Sequence, residues 1–129
     1  MIDKMDNEIK RIFLKFLVLK TIGDKPTHGY EIIQSIERKS NGRWTPSSGS
    51  IYPALDLLES RGWIISEDLD RRKVYTITSE GRIALDQMIR KWHDQVKEIA
   101  LIFDAFMERK SWDAADSGLT ENEKSEEMK

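Results

Sequence analysis

The sequence predicts a mainly α protein with one small β-hairpin. Three stretches before residue 63 repeat apolar side chains at helical spacing, and each is closed by a glycine or by Asn-Gly. Residues 63–78 instead form two β-branched and aromatic runs around a polar turn. From Ser79 onward, apolar residues recur every three or four positions over three heptads. The order is therefore helix, helix, helix, hairpin, long helix.

The first helix is expected over residues 6–22, with Ile9, Ile12, Phe13, Phe16, Leu17 and Leu19 at helical spacing and Gly23 as its stop. Its second half, "FLKFLVLK", is apolar on nearly every side, which predicts cover on more than one face. After the turn "GDKPT", Thr27 opens a second helix whose apolar side carries Tyr30, Ile32, Ile33 and Ile36, and Asn41-Gly42 ends it.

The third helix, in "SSGSIYPALDLLESRG" at residues 47–62, begins with short polar residues and a proline. At 100° per residue, Ile51, Ala54, Leu55 and Leu58 form one stripe facing the core. Gly49, Pro53, Asp56 and Ser60 lie opposite, with Tyr52 and Leu57 on the borders. Pro53 lacks an N–H, so it is cheap only in the first turn. That places the N-cap at Ser50, whereas a start at Ser47 would make Pro53 interrupt the ladder. Either start leaves free amides, hydroxyls and a glycine at the N-terminus, where a phosphate can approach closely. One of Ser47, Ser48 and Ser50 is explained by capping alone; the set, with Gly49, exceeds that need.

The hairpin is expected from Trp63–Glu67 and Val74–Thr78, with Arg71, Arg72 and Lys73 in the turn. Thr78 or Ser79 then caps the last helix, with Glu80 in its first turn. Along that helix Leu85, Ile89, Trp92, Val96, Ile99, Phe103 and Phe106 are spaced alternately by four and three. Such a seam, about 32 Å long at 1.5 Å per residue, outruns a three-helix domain and predicts a homodimer. The expected division is residues 6–79 for the first domain, 80–109 for the dimerisation helix and 110–129 for a disordered tail.

Composition bounds the function. Charged residues make up 34% of 129, cysteine is absent, and net charge is −2. The segment "DAADSGLTENEKSEEMK" holds six acids and two lysines, so without it the rest carries +2. Overall acidity is therefore a property of the tail and not an argument against nucleic acid. No apolar run approaches about 20 residues, and "MIDKMDNEIK" is no signal peptide, so a cytoplasmic protein without membrane contact is expected. The only histidines, His28 and His93, have no metal-ligand spacing. With no nucleophile–His–acid set and no phosphate loop, neither enzyme nor cofactor nor metal is expected.

Three helices followed by a hairpin describe a winged helix-turn-helix, whose third helix enters the major groove while the hairpin tip touches the backbone or minor groove. Small domains of this shape also serve as protein-interaction modules. "HGYEIIQSIE", "WTPSSGSIYPALDLLESRGWI" and "RRKVYTITSEGRIAL" resemble, in order and spacing, the PadR family of bacterial and archaeal transcriptional regulators over roughly residues 12–108. The resemblance implies a dimeric winged-helix repressor of the short form, with a single C-terminal dimerisation helix.

On this reading Ser47, Ser48, Gly49, Ser50, Tyr52 and Pro53 face double-stranded DNA, and Arg71, Arg72 and Lys73 contact phosphate or the minor groove. For Tyr52 a place in the core is the competing reading, but its border position and the resemblance favour the contact. Lys25, His28, Arg38, Lys39 and Arg43 are weaker candidates for backbone contacts. Asp56 points outward, where it either accepts from a cytosine amino group or stands clear of the DNA. Trp92 occupies the middle of the seam. It is either a packing residue or, as multidrug-binding relatives imply, a surface on which a small aromatic effector stacks.

Overall fold

A computed structural model describes residues 6–108, and the acidic tail lies outside them. In chain order the elements are α1 (Asn7–Asp24), β1 (Thr27–His28), α2 (Gly29–Lys39), α3 (Ser48–Ser60), β2 (Ile64–Leu69), β3 (Arg72–Ile77) and α4 (Ser79–Met107). Two compact units divide the chain after Ile89, so the first turns of α4 belong to the winged unit.

The core of that unit joins Leu14, Val18, Leu19 and Ile22 of α1, Ile32 and Ile36 of α2, and Ile51, Leu55 and Leu58 of α3. Ile64, Tyr75, Ile77 and Leu85 close it from the sheet and α4. The expected α3 stripe is thus the buried one. Tyr30, in contrast, is 64% exposed and not on the apolar side of α2, because it lies more than 90° around the helix from Ile32 and Ile36. Leu85 also departs from expectation: it packs into its own core and is not available as the first residue of an exposed seam.

Gly23 does not stop α1. The helix runs on to Asp24, and a Cβ at residue 23 would lie 2.8 Å from Leu85 Cδ2, so the glycine serves close packing. Thr27 does not open α2 either. Thr27 and His28 form β1, which pairs antiparallel with β3 in the order β1-β3-β2, making a three-stranded sheet of the expected hairpin. His28 is the N-cap of α2, its Nδ1 accepting from the Glu31 amide at 3.4 Å.

In the wing, Leu69 pairs with Arg72, leaving Asp70 and Arg71 as a two-residue turn. Both have positive φ, 50° and 66°, as the favoured two-residue hairpin turns require. Arg72 and Lys73 are consequently strand residues of β3, and only Arg71 sits at the tip. At the start of α4, Thr78 Oγ1 accepts from the Gly81 amide at 3.0 Å and donates to the Gly62 carbonyl at 2.7 Å, so the cap also ties α4 to the turn after α3.

The second unit, described to Glu108, holds the rest of α4. Val96, Ile99, Leu101, Ile102, Phe103 and Phe106 there are all exposed.

Candidate nucleic-acid interface

α3 begins three residues earlier than the proline suggests. Ser47 is the N-cap, and Pro53 is the sixth helical residue. The ladder bond Pro53 cannot donate would have gone to Gly49, whose carbonyl lies on an exposed turn where water can reach it. The missing bond therefore costs little. No side chain caps the helix: Ser47 and Ser50 pair with each other, Oγ to Oγ at 3.2 Å. Ser48, Gly49 and Ser50 are all exposed, while the Ser50 amide turns back to the Ser47 carbonyl at 3.0 Å.

Tyr52, next along α3, is neither core nor free: it is 47% exposed, with its ring edge over Gly29. A Cβ at residue 29 would lie 2.6 Å from Tyr52 Oη, so the glycine that starts α2 is what lets the ring lie down there. Tyr52 then lines a hollow of about 320 Å³ with His28, Gly29, Tyr30, Tyr75, Arg71, Arg72 and Lys73. The third helix and the basic wing thus meet around one space. Pro53 and the serines are not part of it; Ser47, Ser50 and Pro53 open toward a second hollow beside α1, and Ser48 lines neither.

Within the first hollow Arg72 Nη1 lies 3.2 Å from His28 Nε2, and Gln34 donates to the Tyr30 hydroxyl at 3.1 Å. Tyr75 is buried, and its phenol is pushed above its ordinary pKa by that burial, then by the charges of Glu59 and Asp56. It therefore stays a neutral hydrogen-bond donor at physiological pH. Asp56 remains exposed on the outward side of α3, while Glu59 accepts from Ser66 at 2.7 Å and is tied to the sheet.

Gly29, Tyr30 and Tyr75 were not among the expected contacts. The signal was present in "HGY" and "VYTIT", but only the tertiary fold brings those residues to Tyr52. Of the weaker candidates, His28 joins the hollow, whereas Lys39 pairs with Asp24 at 3.1 Å.

Residues 18–87 match the family described as "Transcriptional regulator PadR-like family". The transcriptional regulator YqjI of Escherichia coli is 36% identical over 75 residues, which is 57% of this chain but only 36% of that protein. The transcriptional regulator Rv3488 of Mycobacterium tuberculosis is 30% identical over 96 residues, 71% of this chain and 87% of its own length. Among solved structures, a transcriptional regulator from Clostridium thermocellum superposes with a TM-score of 0.70 at 26% identity, covering 74% of this chain and 95% of that one.

Proposed function

The chain belongs to the PadR-like family of transcriptional regulators, and from that premise we propose that it is a sequence-specific DNA-binding repressor acting as a homodimer. The observation that carries the reading is the hollow in which Tyr52 of α3 meets Arg71, Arg72 and Lys73 of the wing. An uncapped helix start enters the major groove, and the wing holds the adjacent backbone. Phosphate contacts from the cations fix the register, while the outward face of α3 reads the bases.

The exposed apolar side chains of α4 support the dimer. Ile89, Val96, Ile99, Phe103 and Phe106 lie on the expected seam, and a second copy covers them. Two winged units then address half-sites about one helical turn, roughly 34 Å, apart on a pseudo-palindrome. Half-buried Trp92, in the middle of that seam, offers a surface for a planar aromatic effector that releases the DNA.

Fluorescence anisotropy of labelled duplexes, selected by the protein from a random library and measured at two salt concentrations, tests the reading. Salt-sensitive binding that favours the selected sequence supports it. Binding to no duplex would leave a protein-interaction module instead. Tyr52→Ala lowers the preference for the selected duplex while the fold and dimer persist. With the other three tryptophans replaced by phenylalanine, Trp92 fluorescence changes on adding planar aromatics; an unchanged signal across a panel removes the effector from the reading.

A further inference from the structure

A hollow of about 680 Å³ lies between the first turns of α1 and the start of α3. Its α1 wall follows from sequence. Residues 7, 11, 14, 18 and 22 share one side of the helix. Leu14, Val18 and Ile22 on that side are buried, but two turns earlier the same side carries Asn7 and Arg11, with Lys10 and Lys15 flanking. Where a longer core would have placed apolar side chains, α1 presents cations. Among the described residues, Lys10, Arg11 and Lys15 have no carboxylate within ion-pair distance, whereas Lys20 and Lys39 are both tied to Asp24. Across the hollow stand Ser47, Gly49 and Ser50 at the uncapped start of α3.

We propose that this hollow is a second DNA-backbone site, in which Lys10, Arg11 and Lys15 hold phosphates on the far side of α3 from the wing. The inference rests on the DNA reading above and extends its footprint. The wing and α1 then flank the recognition helix, one cationic group on each side, as a strand running past both ends of a groove contact requires. The partner is the polyanion of a duplex, because three cations along about one and a half turns of α1 match a row of phosphates better than a single small anion.

The full chain is titrated onto a fluorescent mixed-sequence 40-base-pair duplex over a salt series. Each lost phosphate contact lowers the slope of log K against log salt by about 0.9. The triple variant K10Q/R11Q/K15Q is expected to lose about 2 to 3 from that slope and at least tenfold in affinity at 0.1 M salt. The charge-conserving K10R/K15R keeps the wild-type slope. R90Q/K91Q/K97Q, which removes as much charge from α4, leaves the slope unchanged and so excludes a mere net-charge effect. Thermal melts establish that each variant is folded, and single substitutions replace the triple variant if it is not. A wild-type slope in K10Q/R11Q/K15Q, with a reduced one in R71Q/R72Q/K73Q, overturns this inference and leaves the DNA reading standing. Salt-insensitive binding by the wild type overturns both.

Discussion

Residues 51–58 of α3 and residues 89–106 of α4 carry the same signal, apolar side chains three and four apart, with opposite structural outcomes. Ile51, Ala54, Leu55 and Leu58 are between 0 and 6% exposed, whereas Ile89, Val96, Ile99, Phe103 and Phe106 are between 39 and 86% exposed. Helical periodicity states that a face needs cover; it does not state what supplies the cover. In α3 the cover is α1, α2 and the sheet. In the distal part of α4, Val96, Ile99 and Phe106 remain 58 to 86% exposed, and a second copy covers them on the reading above.

Substitution on each face separates the two cases. Leu55→Ala, at a fully buried site, costs about 2–5 kcal/mol because the neighbouring helices relax only partly into the space. Urea unfolding measures it, and the loss is the same at every protein concentration. Ile99→Asp with Phe103→Asp leaves that core untouched and weakens self-association by at least about 100-fold, or roughly 2.7 kcal/mol, through the cost of burying two carboxylates. Sedimentation across a concentration range reads this directly; an unchanged mass would mean that the exposed face of α4 is not the dimer seam.

Between a covered face and an open one lies Tyr52, with its ring on Gly29 and about half of its surface exposed. Gly29→Ala drives a methyl into the ring, which must move. The expected cost is about 1–3 kcal/mol, as for other overpacked sites, accompanied by weaker duplex binding. Loss of stability without loss of binding would make the Gly29–Tyr52 contact purely structural.

Much of this was legible in the sequence, and the failures share a cause. The core stripe of α3, the element order and the basic wing all follow from local pattern. What local pattern does not contain is register. The "GDKPT" segment reads as a turn from which Thr27 opens a helix, yet Thr27 and His28 find β3 and become a strand, because pairing partners lie nearly fifty residues away. Arg72 and Lys73 read as turn residues until the pairing of Leu69 with Arg72 shortens the loop to Asp70 and Arg71. Pro53 reads as a bar to an early start of α3, but the bar weakens when the freed carbonyl belongs to an exposed glycine. The α1 cations Lys10, Arg11 and Lys15 drew no reading from the sequence, since the hollow that gathers them exists only after α1 and α3 are packed.

The smallest effect tests whether charge contributes to the covered region at all. Asp24, at the end of α1, accepts from Lys20 at 2.6 Å and from Lys39 of α2 at 3.1 Å, so it links two helices already joined by the core. Its carboxyl is held below the ordinary value, chiefly by the Lys20 hydrogen bond, against a smaller opposing effect of burial. A depressed folded pKa means that the contribution is complete above the unfolded value, near 3.8, and disappears as pH falls through the folded one. Because Asp24 is 40% exposed and both lysines more so, screening reduces that contribution to a few tenths of a kcal/mol. Asp24→Asn therefore lowers the melting temperature only slightly at pH 7, and the difference shrinks as pH falls below about 3.8 and through the folded pKa. A persistent difference in acid would mean that the side chain acts by packing and not by charge. A large one at pH 7 would mean that burial alone does not hold α1 to α2.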